Sequence, residues 1–313
     1  MKTRRYFIFF IVKTVLKLVL FFLFTPSVGA QMLDNSRGEA FTDRPYFNED
    51  FVRNNKISKI SGRFTVKKVG DILRNTDLIK NFEFDEQGRL IKTFETTQGA
   101  LGKDTVVQLY EYDEQNRLKV MRMTDRHGFY ATHYEYDEKD RVIRKELRRN
   151  LNTHKDLSNF ELGKEFIVTF ELSSYVEFDN QVKRTVRNSF DIPFRETIYY
   201  YDEHGVLVRE RDRIIRTSAT TTKEYFYNEK GYMDSIAIAT PQSQVKNKNY
   251  SYRYDSFDNL EVMEYYKDGV HTTEHQIIYD HKTTLLKYVL VKEVATAYIT
   301  ILTIDEVEFF EGG

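Results

Sequence analysis

The segment His271-Thr272-Thr273-Glu274-His275 sets two imidazoles four residues apart with a carboxylate beside the second. On a helix this spacing puts both rings on one face, as in zinc hydrolases that bind the metal through two such histidines. The flanking residues argue for a strand instead. Lys267-Asp268-Gly269 reads as a turn just before the segment, and Ile277-Ile278-Tyr279-Asp280 as a strand end just after it. Along a strand, positions i and i+4 lie about 13 Å apart, too far to share one ion. The acid pairs Asp85-Glu86, Asp113-Glu114, Asp137-Glu138 and Asp202-Glu203 are a second candidate, as calcium ligands. None has the dense oxygen spacing of a calcium loop, whereas an Asp followed by a solvated Glu is what a turn tip requires. The sequence has no nucleophile elbow and no Gly-rich phosphate loop, and its carboxylate pairs all stand in repeated turn contexts. No catalytic, cofactor-binding or metal residue is therefore assigned, and no cofactor is expected.

The turns that carry those acids belong to a repeat. Its clearest form is Tyr110-Glu111-Tyr112-Asp113 followed by Asn116 and Leu118. Five further copies centre on Phe82-Glu83-Phe84-Asp85, Tyr134-Glu135-Tyr136-Asp137, Tyr199-Tyr200-Tyr201-Asp202, Tyr225-Phe226-Tyr227-Asn228 and Tyr252-Arg253-Tyr254-Asp255. Val176-Glu177-Phe178-Asp179 and Ile277-Ile278-Tyr279-Asp280 are weaker echoes. The interval is about 25 residues, with one longer excursion around Arg148 to Ser174.

Aromatics at alternate positions place two rings on one face of a strand, and the following Asp or Asn starts a turn by bonding to the backbone. Three residues later stand Gly88, Asn116, Asp140, Gly205, Gly231 and Asp258, the residue types that enter the left-handed region most readily. This pattern predicts a type I turn closed by a bulge, and so a β-hairpin. The expected register sets Tyr112 against Leu118, Glu111 against Lys119 and Tyr110 against Val120. In the same register Arg253 meets Glu261, Tyr252 meets Val262, and Tyr200 with Val208 makes a second apolar face. The fold class is all-β, an antiparallel meander of about a dozen to sixteen strands in one long twisted or curled sheet. The run Ala297 to Ile304 with Val307, Phe309 and Phe310 is expected as a terminal strand pair.

These units resemble the YD (Tyr-Asp) repeats of bacterial Rhs and teneurin-type proteins, which read Tyr-x-Tyr-Asp-x-x-Gly-x-Leu. The resemblance covers about Phe82 to Leu285 and implies a hairpin array, with no activity attached. In long family members the strands spiral into a shell around a toxin. This chain lacks an Asp-Pro autocleavage motif after its repeats and a toxin domain, so a curled sheet and not a closed shell is expected.

Met1 to Ala30 reads as a secretory signal, with basic Lys2, Arg4 and Arg5, an apolar run to Phe24, and Val28-Gly29-Ala30 for cleavage before Gln31. Its removal takes five basic residues and moves the formal charge from −1 to −6. No basic face is left to draw nucleic acid, and no membrane span is expected after removal. The chain has no Cys, which excludes disulfide staples, thiol catalysis and lipid attachment through an N-terminal Cys. An outer-membrane barrel also alternates in hydrophobicity, but short repeat-defined strands and the end Glu311-Gly312-Gly313 count against one. Residues 31–56, polar with Pro45 in their midst, read as an extended or poorly ordered lead-in whose Phe41, Tyr46, Phe47 and Phe51 are able to dock on the repeat domain of residues 57–313. The expected role is an exported, non-catalytic scaffold or binding protein in the periplasm, at the cell surface or outside the cell. Its partner is a protein or glycan met through the sheet face or the variable turns. The alternative is a hydrolase of glycans or peptides sited in Arg148 to Ser174 or the C-terminal segment.

Overall fold

The computed structural model describes residues 31–99, 102–125, 128–152 and 162–311. The expected signal Met1 to Ala30 and the centre of the Arg148 to Ser174 excursion lie outside them. Among the described residues, one short helix, α1 (Glu49–Asn54), precedes eighteen strands. These are β1 (Ile57–Lys67), β2 (Arg74–Phe84), β3 (Leu90–Gly99), β4 (Gly102–Tyr112), β5 (Leu118–Asp125) and β6 (Gly128–Tyr136). Next come β7 (Val142–Asn152), β8 (Leu162–Phe178), β9 (Gln181–Arg187), β10 (Pro193–Tyr201), β11 (Leu207–Ile214) and β12 (Thr220–Tyr227). The last are β13 (Met233–Ala239), β14 (Asn247–Tyr254), β15 (Leu260–Lys267), β16 (Val270–Tyr279), β17 (Leu286–Glu293) and β18 (Tyr298–Phe309).

Every strand pairs antiparallel with its sequence neighbours, and β1 pairs with both β2 and β18. The all-β antiparallel meander expected from the sequence is thus present, and its curl goes as far as closing into a barrel. The C-terminal residues expected to form a strand pair make the single strand β18, which zips onto β1 from Ile57↔Phe309 to Lys67↔Ile299. Closure removes the edges that an eighteen-stranded open sheet would expose. One stretch keeps an edge. Among the described residues, Leu162 to Glu171 of β8 pairs only with β7, because β9 begins its pairing at Leu172. Phe166, Ile167 and Val168 are all exposed there.

The six hairpin turns have the expected form. Positive φ occurs at Gly88 (83°), Asn116 (62°), Asp140 (58°), Gly205 (79°), Gly231 (81°) and Asp258 (67°). At each turn the Asp or Asn side chain accepts from the backbone two and four residues on, as Asp113 Oδ1 does from Gln115 N at 3.0 Å and Arg117 N at 2.9 Å. A seventh turn of this kind, Asn188 to Ile192 with Asp191 at φ 59°, joins β9 to β10 without the aromatic signature. Phe178-Asp179 leads instead into a two-residue turn, with Phe178 facing Gln181.

The register departs from expectation one residue beyond each turn. Tyr112 does face Leu118, but Glu111 faces Val120 and Tyr110 faces Met121. A bulge at Lys119 causes the shift, and it recurs in every copy. Arg253 accordingly meets Val262, Tyr252 meets Met263, and Tyr200 meets Arg209, whose guanidinium sits 5.7 Å from the Tyr200 ring centroid. Val120 and Val262 therefore lie on the face opposite the tyrosines.

The tyrosine of each repeat bonds back to the bulge of the previous one. Tyr112 donates its hydroxyl to Leu90 O (2.8 Å), Tyr136 to Leu118 O (2.7 Å) and Tyr175 to Val142 O (2.9 Å). Tyr227 donates to Leu207 O (2.9 Å), Tyr254 to Met233 O (2.8 Å) and Tyr279 to Leu260 O (2.9 Å). The first copy has no predecessor, and there the position is Phe84. Tyr201 follows the two-residue turn and has no such bond among the described residues. At the early turns the arginine adds a second link: Arg89 pairs with Asp85, stacks 4.8 Å over Tyr112 and donates to Asn116 Oδ1 at 2.7 Å. Arg117 repeats the pattern with Asp113, Tyr136 and Asp140.

Residues 31–56 occupy the lumen. Phe47 packs edge-on to Phe82 and Phe84, each at 5.0 Å, while Tyr110 donates to Asp43 O at 2.9 Å. Toward the other wall, Asn35 donates to the Tyr254 hydroxyl at 3.3 Å, and Leu286 N approaches the Met32 sulfur at 3.0 Å. Met32, Leu33, Phe51 and Val52 are buried with residues from β2 round to β18. Helix α1 is capped by Asn48, whose side chain accepts from Phe51 N, with Glu49 and Asp50 in its first turn. It lies so close to the first hairpin that a Cβ on Gly88 would meet Glu49 O at 2.1 Å, so this turn needs glycine for space as well as for φ.

Replacing Tyr136 by Phe should leave Leu118 O without its partner and lower stability by about 1–2 kcal/mol. Tyr201→Phe should change it by less than about 0.5 kcal/mol. Urea denaturation of the two variants checks the contrast, and equal losses would show that the hydroxyl bonds do not hold the repeats.

Candidate functional site: the tyrosine-lined lumen

The inner face carries Tyr199, Tyr201, Tyr225, Tyr227, Tyr250, Tyr252 and Tyr265 along β10 to β15, because each stands at a position of inward parity set by the hairpin bulges. Residues 31–56 fill the lumen beside β2 to β4 and leave a cavity of about 1040 Å³ against this tyrosine wall. Ser36 to Thr42 forms its roof, and Leu207, Met233, Ile236, Ile238 and Met263 supply apolar floor between the rings. The roof is tied down by Tyr252, whose hydroxyl donates to Gly38 O at 3.3 Å.

Three polar features face this space. Glu210 accepts from the Tyr225 hydroxyl at 3.0 Å and from Lys223 Nζ at 3.5 Å. Tyr250 and Tyr265 stack with centroids 4.7 Å apart, which fixes a broad aromatic surface with both hydroxyls at its rim. His275 stacks on Phe41 at 5.5 Å, and its buried Nδ1 has no hydrogen-bond partner among the described residues. Burial pushes the His275 imidazole down to about 4, so the ring is neutral at pH 7 and has the capacity to accept or donate one further bond. Burial likewise raises Tyr225 and Tyr252, and lifts Tyr254 to about 12, so these hydroxyls stay protonated donors.

The expected strand at residues 271–275 is present, as part of β16. Its two histidines face opposite ways: His275 pairs with Met263 and lines the lumen, whereas His271 pairs with Tyr266 and stacks on that ring at 4.8 Å. They hold no common ion. The turn acids also sit where the turn demands, with Asp85, Asp113, Asp137 and Asp202 spent on backbone N–H groups. Hydrogen bonds from Val206 and His204 N–H hold the exposed Asp202 carboxyl below its ordinary range. Sequence reasoning weighed His275 only as a zinc ligand and passed over the Glu210–Lys223 pair, because nothing local tells which strand face the previous bulge has turned inward.

No protein-family model matches the chain, and no curated protein does. Among solved structures it is similar to a porin-like protein from Bacteroides uniformis, at 10% identity and a TM-score of 0.37, covering 80% of this chain and 98% of that one. A porin-like protein from Bacteroides vulgatus matches at 10% identity and a TM-score of 0.31, over 82% and 98%. The TcdB2-TccC3 complex without its hypervariable C-terminal region matches at 12% identity and a TM-score of 0.23, over 77% of this chain and 16% of that one. Likenesses this distant decide neither family nor ligand. No helix among the described residues is long and apolar enough to cross a membrane.

A neutral buried His275 lowers stability when forced to charge. Its folded value of about 4 lies below the unfolded one of about 6.5, so its contribution is complete above about pH 6.5 and is lost as pH falls toward 4. His275→Phe should flatten the stability slope between those limits. Denaturation midpoints at pH 7, 5.5 and 4.5 for both proteins test this, and parallel curves would refute it.

Proposed function

We propose that this chain is an exported, non-catalytic binding protein of the bacterial envelope, in which YD-like hairpins form the scaffold and the lumen takes a glycan. The observation that carries this reading is the 1040 Å³ cavity, walled by seven tyrosines and holding the unpartnered His275 Nδ1. Specific sites are concave and largely apolar with a few convergent polar groups, which is the composition found here. Tyrosine rings cover the flat C–H face of a sugar while their hydroxyls, His275 and the Glu210–Lys223 pair meet its hydroxyl rim. Ring faces and hydroxyls spaced within one concave wall suit a sugar ring, which favours the glycan over the protein among the two partner classes expected from the sequence.

The signal at Met1 to Ala30 supports export, and the hairpin geometry with its Tyr-x-Tyr-Asp spacing supports kinship with YD repeats. The hydrolase alternative belongs to Arg148 to Ser174 or the C-terminal segment; in the lumen, an ion pair and a tyrosine hydroxyl already engage the Glu210 carboxylate.

The test is a glycan array followed by calorimetry on the full mature chain. A bound mono- or oligosaccharide recovered intact, with affinity about tenfold weaker in Tyr265→Ala and in His275→Phe, is the expected result. A sugar recovered cleaved would turn the reading to hydrolysis. No retained glycan, or variants that bind as the parent does, would overturn lumenal glycan binding.

A further inference from the structure

On the outer face of the barrel, β15 and β16 bring Glu264, His271 and Glu274 together. One ligand atom from each lies within 4.8 Å of the other two. Two features make this unlike an ordinary surface cluster. Glu264 and Glu274 stand directly opposite each other in the ladder, and facing like charges across a strand pair cost stability unless something neutral or positive lies between them. His271 and Glu274 are three residues apart, so a regular strand would send them to opposite faces. They share a face only because the β15–β16 register shifts between Tyr265 and Tyr266, with Thr272 bulged and its hydroxyl donating to Tyr265 O at 3.0 Å. Bulges re-aim side chains in this way beside functional sites.

The imidazole is held in place yet left unused. Its ring stacks on Tyr266 at 4.8 Å, and its buried Nε2 has no hydrogen-bond partner among the described residues. Glu264 is oriented by Ser251 and Tyr266, each donating to Oε2 at 3.0 Å, and by Arg253, donating to Oε1 at 3.2 Å. Glu274 receives only the neutral amide of Gln276, at 2.6 Å on Oε1. Arg253 thus pairs with one of the two facing carboxylates, while Glu274 stands opposite Lys292 of β17 with no ion pair formed between them among the described residues.

We propose that Glu264, His271 and Glu274 form a structural binding site for a divalent transition-metal cation, with zinc the best match to one imidazole and two carboxylates. Such ions take nitrogen and oxygen donors at about 2.0–2.2 Å, which places the donors of a tetrahedral site about 3.4 Å apart. The present donors need only close in by small side-chain rotations. Tyr266, Ser251 and Arg253 act as outer partners that orient Glu264, as outer-shell groups do in metal sites. The fourth position is left to water. The ion clamps β15 to β16 from outside, behind the Tyr265 and His275 wall of the lumen.

Zinc titration by calorimetry on the full mature chain, after chelator treatment and dialysis, tests the site. One zinc per chain is expected, with a rise in melting temperature when zinc is added. His271→Ala and Glu274→Gln should each weaken binding at least tenfold and abolish the thermal shift, while His204→Ala, at an exposed hairpin tip, should bind as the parent does. Absence of stoichiometric zinc in the parent would overturn the proposal. So would zinc binding that survives both substitutions, because the ion would then lie elsewhere. The lumenal glycan experiment can fail without affecting these outcomes, since neither the probe nor His271 and Glu274 belongs to the cavity.

Discussion

The structure depends on one recurring bond, from a tyrosine hydroxyl to the carbonyl at the bulge of the preceding hairpin. A bulge leaves a backbone group out of the ladder, and a buried carbonyl without a partner costs about 1–3 kcal/mol. Tyr112, Tyr136, Tyr175, Tyr227, Tyr254 and Tyr279 each supply that partner from the next repeat. The residue type follows from the chemistry: phenylalanine fills the same volume but offers no donor, and among the six clear copies it stands at Phe84, where no earlier hairpin needs one. Each hairpin is therefore completed by its successor. The arginine at the tip reinforces the coupling where Asp85, Asp113 and Asp137 hold it over the next tyrosine.

A ring of such units requires something in its middle. Eighteen strands enclose more volume than their inward side chains fill, and barrels of that strand number hold a channel or a plug. Residues 31–56 answer part of this need, with Met32, Leu33, Phe47, Phe51 and Val52 giving the barrel a core that it does not make alone. The part left unfilled is the tyrosine wall from β10 to β16, and it is there that His275 retains an unpaired nitrogen. Cavity and core are consequences of the same inward face; what separates them is how far the N-terminal segment reaches.

Much of this was legible in the residues, and the rest was hidden for definite reasons. The turn was readable at Asn116 and Gly231 because a positive φ selects few residue types, and the aromatic pair at Tyr110 and Tyr112 disclosed a strand with one apolar face. The bulge at Lys119 was not, since a lysine at a bulge has no compositional mark, and missing it turned Val120 to the wrong side. Closure was equally silent: it is decided by the match of β18 to β1 across some 240 residues, not by any local pattern. Polar composition between Gln31 and Lys56 concealed how deeply the aromatics in that stretch are buried. The strand expected at His271 to His275 is there, but the bulge at Thr272 that sets one ring outside and the other inside had no mark in the sequence.

The pairing of β1 with β18 also orders events in time. Ile57 emerges from the ribosome early and meets Phe309 only when nearly the whole domain has been made. Until then a growing sheet carries two unsatisfied edges, a state in which chains join one another readily. Non-local closure of this kind is slow, because the loop entropy is lost before any contact rewards it. The lumenal segment, which precedes the strands in the chain and packs Phe47 against Phe82 and Phe84 of β2, gives the forming curve a template. A late truncation that removes β18 would therefore do more damage than its twelve residues suggest, leaving a chain committed to a ring that has no means of shutting.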